Sequence, residues 1–250
     1  MKYIAKLPKG NVNVTQNNFF IEGGKLFIGL ILSLGVAYIV LITVISLLID
    51  NLSIENEKKI QTFFSKKISK NTTLDSREKR IKSIVEDLSI CANLSYDIDI
   101  LVLNSSKVNA MAVIGGTIMV TKGLLDTIKD DRELTFVLGH EMGHFKYRHH
   151  LKGISSAVVL TLLSWIIQSD TSSIINQILV VGSMQYSQKQ EINADKFGVD
   201  MLMCRYNSTD GATGLFKRMS KDDSWSDFMQ THPNFATRVD KIERYIEGLK

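Results

Sequence analysis

The hydrophobic periodicity of this chain predicts an α+β fold. A mainly helical domain with one small β-sheet follows a single N-terminal transmembrane helix. Three observations predict it. An unbroken apolar run stands near the N-terminus, and segments of helical period flank a short block of period-two alternation. Only 2 prolines occur in 250 residues, so long helices are not interrupted.

Residues 26–49, LFIGLILSLGVAYIVLITVISLLI, are 24 consecutive uncharged residues closed by Lys25 and Asp50. At about 1.5 Å per residue, such a helix crosses a hydrocarbon layer roughly 30 Å thick. The run is apolar on every face, which disfavours a buried core helix. It is also too long for the h-region of a cleaved signal. Residues 1–25 are therefore an N-terminal tail and 26–49 a single-pass signal anchor. Lys2, Lys6, Lys9 and Lys25 precede the run, whereas Asp50, Glu55 and Glu57 follow it. The positive-inside tendency places the N-terminus in the cytoplasm and the domain formed by 53–250 on the extracytoplasmic, periplasmic side.

Within that domain, 53–70 predicts an amphipathic helix and 76–94 a second, with Asp75 and Glu78 at capping-box spacing. DIDILVLN (97–104) alternates as a strand, and NAMAVIGGTIMVT (109–121) predicts a hairpin turning at Gly115-Gly116. A short helix, GLLDTIK, follows. Asp130 and Glu133 are spaced to cap the next helix, 131–150. Region 153–188 carries one charge, Asp170, and its strongest apolar part spans 14 residues. At about 21 Å that part is short for a crossing. It predicts an apolar helical hairpin, buried in the domain or lying on the membrane surface, in preference to two true spans. A helix of about 20 residues starts near Gln185, and another covers 234–249.

The net charge is +4, with lysines scattered among acids, which describes a solvated surface and excludes a nucleic-acid footprint. The non-protein partner this composition predicts is membrane lipid. Cys91 and Cys204 make neither a disulfide framework nor a C-x-x-C pair. They read as two buried small apolar residues, with a single bridge left open for a domain outside the cytosol.

VLGHEMGHFKYRHH (137–150) holds four of the 5 histidines. His140 and His144 stand four apart and share one helix face, where neutral imidazoles make good zinc ligands. Glu141 lies beside them, placed to take a proton from a water that zinc acidifies. His149 and His150 read instead as exposed histidines at the negative end of the helix dipole. A catalytic zinc takes three protein ligands, and QKQEINADKFGVD supplies a carboxylate for the third, Glu191. Asp195, one turn on, can accept the second N–H of a ligating imidazole. His232, outside this helix, is a candidate donor to an oxyanion. Strand 109–114 would form a sheet edge beside the cleft, so Asn109, Ala110, Met111 and Ala112 are candidate substrate contacts through their backbone. Gly139 and Gly143, without side chains, allow close helix packing or substrate approach.

The set HEMGH, QEINAD and THPNFATR resembles the HtpX-like zinc metallopeptidases, peptidase family M48, over roughly residues 53–250. NAMAVIGGTIMVTKGLL resembles that family's segment before the zinc helix. The resemblance implies a gluzincin-type domain holding one Zn2+ per chain on His140, His144 and Glu191, with Glu141 as general base. It further implies that His232 sits near the metal as a transition-state or gating group and that Arg238 braces the site. The implied activity is endoproteolysis of unfolded or extended polypeptides in quality control of the cell envelope. A chaperone-like module latched by His232 as a fourth ligand is the alternative. HtpX-type members carry two membrane helices before the motif, and the CAAX prenyl proteases carry more spans and an enclosed chamber, where this chain shows one apolar helix. These differences argue against prenyl-protein processing.

Overall fold

The structure, a computed structural model, describes residues 19–59, 77–95, 97–113, 115–152, 186–219, 232 and 235–249. The expectations for Asp75, for most of helix 53–70, for the hairpin up to residue 185 and for Pro233 lie outside the described residues. Two compact units divide between Val44 and Ile45.

The first unit is formed by helix α1 (Phe19–Asp50), which begins ahead of the apolar run and continues into the second unit's first residues. An ion pair between Lys25 and Glu22 at 2.9 Å stands in its first turns. Ser33 and Thr43 donate their hydroxyls to the carbonyls of Leu30 and Ile39, so neither polar group needs water. The helix is long and apolar enough to cross a membrane, and none of its most apolar stretch is buried by protein.

In the second unit residues 54–59 are helical. Then come α2 (Glu78–Ala92), β1 (Asp99–Leu103), β2 (Ala110–Val113), β3 (Thr117–Thr121), α3 (Lys122–Thr127), α4 (Asp131–Lys146), α5 (His149–Lys152), α6 (Gln188–Tyr206), α7 (Gly214–Met219) and α8 (Phe235–Glu247). Helices plus one small sheet make the α+β class the periodicity predicts. The sheet order is β1-β3-β2, with β1 parallel and β2 antiparallel to β3. Gly115 and Gly116 both take positive φ, 89° and 94°, which a tight hairpin requires and a side chain would resist.

Ile81, Ile84, Val85 and Leu88 of α2 are buried, as their helical period predicts. They join one core with β1, β3, α4 and α6. Helix α2 starts at Glu78 without a side-chain cap, because its N-cap is Arg77. Asp130 does cap α4, accepting from the amides of Arg132 and Glu133. Glu133 does not complete a capping box: it is buried and ion-paired with Arg218 of α7, and it accepts the Lys129 amide at 2.9 Å instead of that of Asp130.

Three expectations are corrected. First, of the two readings left open for Cys91 and Cys204, the buried apolar pair gives way to the single bridge: they form a disulfide joining α2 to α6 across 113 residues of sequence. Chain-entropy reasoning assigns a loop of that size about 4–5 kcal/mol. Second, the helix over 131–150 stops at Lys146. Arg148 adopts φ 53°, left-handed backbone that costs a side-chain-bearing residue about 1–2 kcal/mol, and α5 begins in a new direction. Third, His149 and His150 are thereby turned inward and are buried, not exposed at a helix end.

Helices α4 and α6 form the main packing contact of the unit. The glycines of α4 serve this packing. A Cβ on Gly143 would lie 2.9 Å from the Ala194 Cα, and one on Gly139 2.9 Å from the Met201 Cβ. Backbone cannot yield as a side chain can. Gly143→Ala is therefore expected to lower stability by about 1–3 kcal/mol, read as a shift in the denaturation midpoint.

Candidate metal centre

Helix α4 turns His140 and His144 toward α6, and their Nε2 atoms lie 3.2 Å apart. Helix α6 presents Glu191 from its first turn. Its Oε2 is 3.7 Å from Nε2 of His140, and its Oε1 is 3.6 Å from Nε2 of His144. His232 adds Nδ1, 3.2 Å from the His140 Nε2 and 3.1 Å from the Glu191 Oε1. One donor atom from each of these four buried residues lies within 4.8 Å of all the others. Tetrahedral bonds of about 2.0–2.1 Å separate neighbouring donors by about 3.4 Å, so this spacing fits a small divalent ion.

The donor chemistry fits as well. Asp195 Oδ1 stands 2.9 Å from Nδ1 of His140. Burial pushes the Asp195 carboxyl up, but the charge and hydrogen bonds of Arg238, with those of His140, overcome this and hold it down at about 2. An ionised carboxylate only accepts, so the ring carries its proton on Nδ1 and turns the Nε2 lone pair toward the centre. Arg238 of α8 binds both oxygens of Asp195, at 2.7 and 2.6 Å, and reaches Glu191 Oε2 at 2.6 Å. It also donates to the His232 carbonyl at 3.1 Å, tying that residue to the same brace.

Glu141 is fully buried, and no described side chain donates a hydrogen bond to either carboxylate oxygen. Burial pushes its carboxyl above the usual range against the pull of His232 and His140, while the Ala112 amide on β2 favours the charged form. For Glu191 burial is again the largest influence, yet the charges of His232 and Arg238 outweigh it and lower the carboxyl. Burial and the neighbouring rings of His140 and His232 push His144 well below its ordinary value. A neutral His144 is the ligand form. The Nε2 atom of His232 is 3.5 Å from Glu141 Oε1, so this one ring touches both the donor set and the candidate base.

All the predicted site residues of α4, α6, α8 and position 232 thus converge. Those of 109–112 lie along β2, whose side chains at Ala110, Met111 and Ala112 are buried. Asn109 is engaged with Thr121, donating its amide to the Thr121 Oγ1 and accepting that hydroxyl at its carbonyl.

Sequence reasoning missed two neighbours. Tyr186 stacks on the His144 ring, centroids 3.7 Å apart and planes at 17°. Burial first, and then Glu141 and Glu191, push its hydroxyl well above the ordinary phenol range, keeping it neutral. A signal existed, because Ser187 and Gln190 form a full capping box that fixes the start of α6 and puts Tyr186 just before it. The other is His149, whose Nδ1 lies 3.1 Å from Nδ1 of His144. No signal marks it, because the break at Arg148 turns it inward.

The sequence profile of Peptidase family M48 matches residues 75–246. The chain belongs to that family. This M48 peptidase is 30% identical over 183 residues to the metalloprotease YcaL of Escherichia coli K12, covering 69% of this chain and 71% of the relative. It is 31% identical over 175 residues to the metalloprotease LoiP of the same organism, covering 66% and 68%. With the mitochondrial metalloendopeptidase OMA1 of Arabidopsis thaliana it shares 28% identity over 187 residues, 72% of this chain but only 36% of the relative. The chain thus matches about a third of that plant protein's length and about seven-tenths of the bacterial ones. Family membership makes the chain a metallopeptidase, and the His/His/Glu/His cluster within it could hold a metal ion.

Proposed function

We propose that the protein is a membrane-anchored zinc endopeptidase whose domain faces the extracytoplasmic side and cuts unfolded or extended polypeptides of the cell envelope. The observation that carries this is the convergence of His140, His144 and Glu191 beside a buried Glu141. His140, His144 and Glu191 would hold the ion, which supplies Lewis acidity toward the scissile carbonyl and the attacking water. Glu141 takes the proton of that water and delivers it to the leaving amine. His232 stands where a donor to the developing oxyanion is needed. Asp195 and Arg238 keep the ligands aimed.

The peptide's place is the outer edge of β2. Asn109 pairs with Thr121, so the antiparallel alternation turns Met111 toward Met119 and leaves the amides and carbonyls of Ala110 and Ala112 facing away from β3. The Ala112 amide is near enough to Glu141 to affect its charge. A strand added there runs past the base and is held by its backbone, which supports broad sequence preference. The Cys91–Cys204 disulfide supports an oxidising compartment, and α1 supports anchoring in lipid.

The metal content of the purified protein and its cleavage of unfolded casein test this reading. One zinc per chain is expected, with activity abolished by chelation and restored by zinc. Protein that cleaves equally well after stoichiometric metal removal overturns the reading.

A second reading has an observation in its favour, since His232 belongs to the donor cluster itself, with its Nδ1 3.2 Å from Nε2 of His140. As a fourth ligand it would close the vertex needed for water and make the enzyme latent. His232→Ala separates the two: lost activity favours the oxyanion donor, and increased activity the latch.

A further inference from the structure

Glu57 is completely buried, seven residues beyond the end of α1, and takes no part in the chemistry above. Its Oε2 lies 3.0 Å from Nε2 of His150, and its Oε1 lies 2.9 Å from the Arg148 guanidinium. Arg148 donates as well to the Leu52 carbonyl, and Nδ1 of His150 lies 3.3 Å from the His144 carbonyl. Two short stretches, 52–57 and 148–150, more than 90 residues apart in sequence, are therefore clamped together by charged and polar side chains.

The clamp closes on the one place where α4 breaks. Arg148 holds left-handed backbone at φ 53°, a conformation that persists only where the surroundings enforce it. The next residue is His149, whose Nδ1 meets Nδ1 of His144 at 3.1 Å. His140 has its ring oriented by Asp195; His144 has His149 in the corresponding place.

We propose that Glu57 is a positioning residue for the metal centre: by holding Arg148 and His150 it fixes the turn that sets His149 against the back of the ligand His144. The stretch emerging from the apolar helix is then part of the metal site's support. This rests on His140, His144 and Glu191 being the metal ligands.

The test uses the full chain in detergent, with zinc affinity measured by competition with a chromophoric chelator and ligand geometry by the visible absorption of the cobalt(II)-loaded protein. Glu57→Ala is expected to weaken zinc binding about tenfold and to alter the cobalt spectrum, the scale seen when supports of metal ligands are lost. Glu57→Gln is expected to restore both, because its amide can accept from Arg148 and donate to Nε2 of His150. Wild-type affinity and spectrum in Glu57→Ala, or no recovery in Glu57→Gln, overturns the proposal. If Glu57→Ala does not fold, His150→Leu decides. It keeps the Glu57–Arg148 pair and is expected to weaken zinc binding several-fold, and unchanged affinity overturns the proposal. Wild-type protein that takes up no zinc sinks the metal-site reading itself, a result separate from any of these.

Discussion

Glu141→Gln is expected to lower kcat about a thousandfold while the protein keeps its metal. The two halves of this expectation have different origins. Glu141 is not among the four residues whose donor atoms converge, so its loss removes no ligand. Its carboxylate is buried and accepts no hydrogen bond from a described side chain, an arrangement that costs stability and that a catalytic role explains. An amide cannot take the proton of the attacking water or pass it to the leaving amine. General acid–base catalysis contributes about 10²–10⁴, so a loss near 10³ corresponds to about 4 kcal/mol of barrier. Because the amide desolvates more cheaply than the carboxylate, the variant is also expected to be at least as stable as the parent. Steady-state cleavage of casein, metal content and thermal unfolding measure the three quantities. Undiminished cleavage would mean that another group is the base.

Local periodicity made much of this site legible. A four-residue step puts His140 and His144 on one face whatever the tertiary fold, and the same step links Glu191 to Asp195. Helices α2, α4, α6 and α8 and the hairpin at Gly115-Gly116 were likewise written in spacing and turn chemistry. The illegible parts depend on contacts distant in sequence. His149 and His150 look like helix-end residues until Arg148 breaks the helix, and that break is held from Glu57 and Leu52. The partners in Cys91–Cys204 become plain only once α2 and α6 are adjacent. Glu133 sits at capping-box spacing but reaches one residue too far back, to the Lys129 amide, while pairing with Arg218, a residue of another helix. Arg238 is an intermediate case: one resemblance marked it as a brace, but only packing shows that it grips two carboxylates at once.

That grip predicts the largest loss of stability in the molecule. Arg238 is almost wholly buried, and its guanidinium meets Asp195 through two nitrogens and Glu191 through a third. Phe216 covers its face at 5.0 Å, which keeps water out. Replacing both partners of such a network by apolar groups can be nearly neutral, but removing one leaves the other's charge buried alone. Arg238→Met preserves the bulk of the stem and strands two carboxylates together. The expected destabilisation is about 3–5 kcal/mol, a fall in Tm on the order of 10 °C for a domain of this size. Measured in chelator, it reads the fold apart from metal binding. Arg238→Lys is expected to recover only part, since a single ammonium cannot bind Asp195 through two parallel hydrogen bonds while reaching Glu191. Metal affinity should fall with stability, because Asp195 then loses the partner that keeps it ionised behind His140. An Arg238→Met protein within about 1 kcal/mol of the parent would show that the two carboxylates share a proton or find another cation, and that the brace is not what holds the ligands in place.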